Sequence, residues 1–446
     1  MTLRDLTTSV LKISTVGAKG LMKRRGAVLV VLIVALPALA PAAELTRIVS
    51  SFEEGHPFGF SLEATYQRSQ ERSKIVREVH QGGQLVQMPE MIYVAVDQRL
   101  VVDARIGLWR DLEFKYVLPF VFAQDFSWRY AGGTSDANST IFNNCLRPTG
   151  ELFDPNCATS GQGRRPMFSP NADSYRGGVG DMTFGLAYAV FNERRDDTKP
   201  MWILGFDYTA PTAAALDPSV PTSSGNRGNI GERLHRYKFY TSFSKRMGVF
   251  DPYLQAHYTL PVRGPGWYSN CDHPDVGNLG RPENCADPAW PRTETGIQPS
   301  HVAGLIFGSE INVFEDRAAH TRVAIDVRTS TTYFSSGRYY NQLSDQLGKL
   351  LYTEDYLQYG GSLGAVAHAS DSFSFQFHAG LHYNTPHLLT DETIGRDLDN
   401  DGRVDVTSNP REINPNFDFR TDMVSRRFRV TEMFIFRFDL SARFTF

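Results

Sequence analysis

Long apolar runs are what this chain has least of. The only one covers residues 26–40, GAVLVVLIVALPALA, and is shorter than the roughly 20 residues that a membrane-spanning helix needs. Charge of one sign is also missing. Forty-six lysines and arginines stand against 49 aspartates and glutamates, for a net charge of −3. No basic stripe with interleaved aromatics is present, so nucleic acid is excluded as a partner class. Cysteine is scarce, four in 446 residues, and neither a CxxC pair nor a histidine cluster accompanies it, which argues against zinc. GxSxG, HExxH and phosphate-loop patterns do not occur, and with them go the hydrolase and nucleotide chemistries they signal.

The lone apolar run has a different use. Met22-Lys23-Arg24-Arg25 precedes it and Ala40-Pro41-Ala42-Ala43 follows it, the basic start and small-residue end of a secretory signal peptide. Residues 1–43 are therefore expected as a leader, with cleavage near Ala43–Glu44 and Met22 as the true initiator. Residues 44–56 follow as a periplasmic segment. The first cysteine, Cys145, lies far from that junction, which argues against a lipoprotein. An exported chain without membrane helices is either soluble or a closed barrel, whose strands pair every backbone group in lipid.

What is abundant is alternation. In residues 434–446, Phe434, Phe436, Phe438, Leu440, Ala442, Phe444 and Phe446 form one face, and Arg437, Asp439, Ser441, Arg443 and Thr445 the other. A period of two specifies a strand, because a helix would scatter the phenylalanines around its circumference. Thirteen residues at roughly 3.3 Å each extend about 43 Å. Tilted by about 40°, they cover the ~25 Å apolar band of an outer membrane.

The same pattern recurs along residues 57–446. Alternating runs occupy 58–66, 100–108, 112–122, 182–190, 202–210, 237–243, 254–260, 303–313, 323–333, 357–367, 373–383 and 434–446. Short turns at 109–111, 192–200, 245–249, 314–319 and 370–372 take every other connection. The polar segment 67–90 and the stretches 124–178, 211–234, 261–299 and 385–425 take the rest, with a helical turn expected around 342–351. Sorting of connections by parity has no cause in a soluble sandwich. It is the habit of an up-and-down barrel with short periplasmic turns and long extracellular loops. The expected fold is all-β: a transmembrane antiparallel β-barrel of about 12 strands in the bacterial outer membrane.

If the apolar faces meet lipid, the opposite faces line the lumen. The acids there are Glu63, Asp103, Glu113, Asp181, Asp207, Glu310, Asp326 and Asp439. The bases are Arg99, Arg105, Lys115, Arg236, Lys238, Arg322, Arg328, Arg437 and Arg443, with His257, His378 and His382 beside them. The two signs nearly cancel, whereas a strongly ion-selective pore tends to carry a ring of one sign. Cross-strand ion pairs that narrow the passage are expected, in a barrel of intermediate bore.

Four cysteines permit three pairings. Export favours the local disulfides Cys145–Cys157 and Cys271–Cys285, each inside one long loop. Asp397, Asp399, Asp401 and Asp405 with Gly402 repeat the first nine positions of a calcium loop, although Ser408 stands where a bidentate glutamate belongs. Weak calcium binding and a plain acidic turn are both open readings. Ser300 with His301, and His378 with His382, match no catalytic motif, so no enzyme is expected.

Residues 178–186, GVGDMTFGL, the hairpin 97–119 ending in Leu118-Pro119, and the strand 206–211 ending in proline resemble outer-membrane proteins associated with meta-pathway phenol degradation. The resemblance implies a barrel transporter or channel for hydrophobic or aromatic compounds. Passive passage of small solutes is the first reading of function, and a structural barrel whose loops bind an external partner is the second. Outer-membrane lipid, the solute and the barrel-assembly machinery are the expected partners. Phe444 and Phe446, in an alternating aromatic end, look like the signal which that machinery accepts. Deleting Phe446 is expected to impair membrane assembly, read as the heat-modifiable folded band in outer-membrane fractions, while export continues. Normal assembly of the truncated chain would overturn this reading of the end.

Overall fold

The computed structural model describes residues 43–51, 59–142, 167–273, 279–316 and 318–446. The expected leader lies outside them except for Ala43, as do Cys145 and Cys157.

Alternating residues form β1 Phe60–Gln81, β2 Gln84–Trp109, β3 Leu112–Tyr130, β4 Ala172–Val179, β5 Thr183–Phe191 and β6 Met201–Thr209. The chain continues with β7 Leu234–Ser244, β8 Phe250–Arg263, β9 Val302–Asp316 and β10 Thr321–Phe334. After these come the small hairpin β11 Gly337–Tyr339 and β12 Leu351–Thr353, then β13 Tyr356–Ser370, β14 Phe373–Asn384, β15 His387–Leu388 and β16 Phe428–Thr445. Two single helical turns, α1 Arg292–Thr295 and α2 Ser344–Leu347, sit in loops.

Neighbouring strands pair antiparallel around the wall, and β16 pairs back onto β1. Both β4 and β5 pair with β3, end to end, and so fill one wall position. The wall is therefore a closed barrel of twelve strands. At the seam, Phe60 and Phe446 exchange backbone hydrogen bonds of 3.1 and 2.8 Å. The ladder continues from Ser61 opposite Thr445 to Arg77 opposite Phe428.

Burial follows the alternation. Phe307 and Leu363 are each 61% exposed and Phe436 is 52% exposed, whereas inward Glu310, Asp326 and Arg443 are buried. Apolar side chains facing outward on strand after strand make a patch far beyond the few hundred Å² usual on soluble monomers. In a membrane that face meets hydrocarbon.

The first hairpin is longer than its sequence pattern indicates. Residues 67–90, expected as a connection, continue β1 and β2 as paired strands to a tight turn at Gly82 and Gly83. Both glycines have positive φ, +60° and +83°. Above the lipid band the outer face meets water, so the ladder persists while apolar alternation disappears. Lys74, for instance, pairs with Glu432 of β16 at 3.2 Å.

Residues 43–51, expected as a free periplasmic segment, instead pass through the short-turn end of the lumen as a strap. Ala43, Thr46, Ile48, Val49 and Ser50 are buried. The strap runs so close to β2 that a Cβ on Gly107 would lie 2.9 Å from the Ser51 nitrogen and 3.1 Å from the Val49 oxygen. A side chain there must displace the strap, an overpacking cost of about 1–3 kcal/mol. Gly107→Val is accordingly expected to assemble but to release the strap. Faster tryptic cleavage after Arg47 than in the wild type would show this; equal cleavage would refute it.

Candidate functional site

Among the described residues, charged side chains from every quarter of the wall converge in the lumen, and most of them neutralise one another locally. Two residues apart on one strand share a face. Asp97 binds Arg99 at 2.5 Å, Asp103 binds Arg105 at 2.8 Å, and Asp326 binds Arg328 in the same way. These pairs lie within a strand, where cross-strand pairing was expected.

Other pairs do cross the wall. Arg443 reaches Glu63 on neighbouring β1 at 2.6 Å, and Arg105 reaches Glu113 on β3 at 3.8 Å. Arg322 binds Glu310 between β10 and β9, and Arg236 lies 3.7 Å from Asp181 and also binds Glu232. Lys115 of β3 meets Asp207 of β6 at 2.8 Å although β5 runs between them. The intervening residue is Gly185, whose Cβ would stand 2.8 Å from Lys115 Cε. A lumen-facing glycine leaves room for its neighbours' side chains to join across it.

The same device builds the mid-lumen cluster. Tyr253 of β8 passes Gly308 of β9 and donates to Asp326 of β10 at 2.5 Å. His378 of β14 passes Gly364 of β13 and bonds the same carboxylate at 3.0 Å. Arg328 Nη2 lies 3.0 Å from Nε2 of the same imidazole, which either donates to Asp326 or accepts from Arg328 according to its tautomer. Either bond ties His378 into the wall.

Lys238 lies 5.8 Å from the Tyr240 ring centroid. His257 Nδ1, His382 Nδ1 and Asp439 Oδ1 are buried without a hydrogen-bond partner. Arg437 stands opposite Ser69 and Gly380 in the ladder. His301 bonds Tyr258 at 2.7 Å, while the Ser300 hydroxyl donates to the His301 carbonyl.

The strap closes the short-turn end with polar contacts on both sides of the lumen. Ser51 N donates to the Arg110 carbonyl at 2.9 Å, Ser50 Oγ to Asp111 at 2.9 Å and Val49 N to Glu113 at 2.7 Å. Ile48 packs with Ala187, Ala189, Met201 and Ile203. Thr46 and Ser244 hydroxyls are 2.7 Å apart. Glu44 then bonds Arg443, and His368 at 2.8 Å. No motif marks this segment in the sequence, since its role depends on which wall residues surround it.

An apolar closure lies toward the long-loop end. The loop carrying α2 places Leu343 and Leu347, both fully buried, against Tyr93, Phe126, Trp128, Phe428 and Val430 of the inner wall. Trp128 Nε1 donates to the Gln342 carbonyl at 2.8 Å, and Gln342 donates to Glu71 at 3.1 Å. Asp345 binds fully buried Arg176, and Tyr340 donates to it at 2.6 Å. Beside this plug is a cavity of about 390 Å³ lined by Leu216, Asp217, Trp267, Tyr268, Tyr340 and Ile297, among others. Its size and mixed lining suit a small amphipathic molecule.

Outer loops hold the plug in place. The Cys271–Cys285 disulfide forms, with Cα atoms 5.3 Å apart. Next to it, Asn270 donates to the Leu350 carbonyl at 2.9 Å and accepts from Leu350 N at 2.8 Å. Arg411 of the last loop binds Asp287 at 2.6 Å. The Arg411 hydrogen bonds, then the Ala289 amide, hold the Asp287 carboxyl down at about 2.

In the Asp-rich loop, carboxylate oxygens of Asp397, Asp399 and Asp401 lie within 4.8 Å of one another. Asp405 is directed elsewhere and accepts from Ser408 at 2.5 Å. Buried Glu412 fastens the loop ends, accepting from Leu398 N at 2.9 Å and Asp405 N at 2.7 Å. Desolvation and the Glu412 and Asp401 charges push Asp399 up, while the Gly402 amide and its neighbours hold Asp397 down. Three of the four expected ligands thus converge, and the hard-oxygen donor set suits calcium.

No protein-family profile matches the chain, and no curated protein matches it. Among solved structures, the COG4313 outer membrane channel from Pseudomonas putida F1 shares 12% identity, covers 87% of this chain and 96% of its own, and gives a TM-score of 0.41. The TodX monoaromatic hydrocarbon channel shares 11%, with 87% and 90% covered and a TM-score of 0.29. The outer membrane protease OmpT from Escherichia coli shares 9%, with 86% and 97% covered and a TM-score of 0.27. The barrel assignment rests on the hydrogen-bonded closure of this chain's own wall.

Proposed function

We infer that the protein is a non-enzymatic outer-membrane channel for passive passage of small solutes, hydrophobic or aromatic ones among them, in a conformation closed at both ends. The observation that carries this reading is a closed barrel whose lumen is obstructed by two separable pieces of chain, the strap 43–51 and the α2 loop. A purely structural barrel of intermediate bore could fill itself with wall side chains. Here the obstructions are two segments outside the wall strands. The charge-balanced lumen suits solutes selected by size and polarity more than by sign. Resemblance to the phenol-degradation outer-membrane proteins, together with the aromatic side cavity, favours aromatic compounds. The reading extends to the Asp-rich loop, where Asp397, Asp399 and Asp401 would hold calcium weakly.

In planar bilayers the full mature protein is expected to show small, infrequent openings. Removing residues 44–51 and replacing residues 342–349 by a short Gly-Ser linker should each raise conductance, and together they should raise it most. Unchanged conductance in the doubly altered protein would overturn the channel reading. For the Asp-rich loop, millimolar calcium should slow tryptic cleavage after exposed Arg403 in wild type and not in Asp399→Asn. Equal rates with and without calcium would mark the loop as a plain acidic turn.

A further inference from the structure

One buried carboxylate at the short-turn end of the lumen has no cation of its own. Around the strap, Glu310 is bound by Arg322, Glu193 by Lys245 at 3.0 Å, Glu315 by Arg246 at 2.7 Å and Glu44 by Arg443. Asp251, in the second position of β8, is fully buried, and neither carboxylate oxygen has a hydrogen-bond partner. It faces Glu310 across the β8–β9 ladder. Arg322, Arg246 and Glu193 are the charged groups nearby, and each already has a partner. An isolated buried carboxylate is costly unless a cation reaches it.

The strap group nearest in line with Asp251 is the backbone nitrogen of fully buried Ala43, which makes no hydrogen bond to it. The next nitrogen, of Glu44, donates to Glu310 Oε1 at 2.5 Å. Two adjacent backbone nitrogens of the strap thus point at two adjacent carboxylates of the wall. The Ala40-Pro41-Ala42 sequence before them has small residues at the two positions that a signal peptidase reads. Cutting after Ala42 would turn the Ala43 nitrogen from a neutral amide into an ammonium with a full positive charge at the one place that lacks it. Cutting one residue later would direct the charge at Glu310, which Arg322 already serves, and leave Asp251 alone.

We propose that Asp251 and Glu310 form a receptor for the α-ammonium of a chain processed between Ala42 and Ala43, so that removal of the leader adds an ionic contact that locks the strap across the short-turn end of the lumen. Processing is hydrolysis of the Ala42–Ala43 amide by the export peptidase: water supplies the new carboxylate oxygen on Ala42, and the Ala43 amine leaves protonated. The inference deepens the channel reading, since it assigns the locking of one of the two obstructions to a specific ionic contact.

The test uses the full protein purified from outer membranes. Intact mass and N-terminal sequencing are expected to give Ala43 as the first residue; any other start overturns the proposal. The native protein is then treated with an amine-reactive acetyl ester at neutral pH, and the tryptic peptide 43–47 is followed. An ammonium held by carboxylate is seldom in its reactive neutral form, so labelling should be at least about ten-fold slower than in urea-unfolded protein. Asp251→Asn should restore fast labelling. A second variant with Gly-Ser inserted before Ala43 leaves the wall untouched and should do the same even where Asp251→Asn fails to assemble. Equal labelling of native and unfolded wild type would overturn the proposal. If the amine labels freely while strap deletion still raises conductance, the ammonium receptor is refuted and the channel reading stands.

Discussion

In hydrocarbon, a backbone N–H or C=O without a partner costs several kcal/mol, and no water is present to supply one. The β1–β16 ladder, closed at its foot by the reciprocal Phe60–Phe446 bonds, meets that demand for both edges of the sheet at once. Everything else in the molecule presupposes this seam. With it, the outward faces can be wholly apolar, the start of β1 and the end of β16 are brought to the same end of the wall, and the inward faces are free to carry charge. Without it, two long strands would expose unpaired edges to lipid.

Closure also dictates how the lumen is furnished. Inward side chains from twelve strands compete for a bore of intermediate width, and charge there must be neutralised within reach. The wall does this within a strand, between adjacent strands such as those of Arg443 and Glu63, and across an intervening strand. Pairs such as Asp97–Arg99 sit on one strand, and contacts such as Lys115–Asp207 and His378–Asp326 step over a strand where glycine leaves the space. Glycine on the inner face is therefore part of the electrostatic design, because it determines which opposite charges can meet.

The two ends of the lumen are closed by different forces. The strap is held by hydrogen bonds and ionic contacts to Asp111, Glu113, Ser244, Glu310 and Arg443, with one apolar anchor at Ile48. The α2 loop is held mainly by apolar burial of Leu343 and Leu347 beneath the disulfide-bearing outer loops. The two ends thus differ in kind: one contact set is mainly polar and ionic, the other mainly apolar.

The barrel was legible in the sequence because lipid on one side and water on the other impose a period of two, and because long and short connections alternate. That signal faded where the physics behind it faded. Along residues 67–90 the outer face meets water while part of the inner face is buried against the loops, so β1 and β2 run on without apolar alternation, visible only through their pairing. The polar faces identified which residues stand on the inner side of each strand, but not their partners. Whether Asp326 binds Arg328, His378 and Tyr253 depends on strand order, register and the gaps at Gly308 and Gly364. The strap left no pattern, and the plug left only the helical turn expected around 342–351, which appears as α2 without any sign in the sequence that it enters the lumen. Local periodicity, then, was enough to determine architecture and the Asp397–Asp401 cluster, which are set by neighbours in sequence. Only the closed tertiary structure decided that the lumen is obstructed and where charge is left over, because those outcomes depend on which distant residues the wall brings face to face.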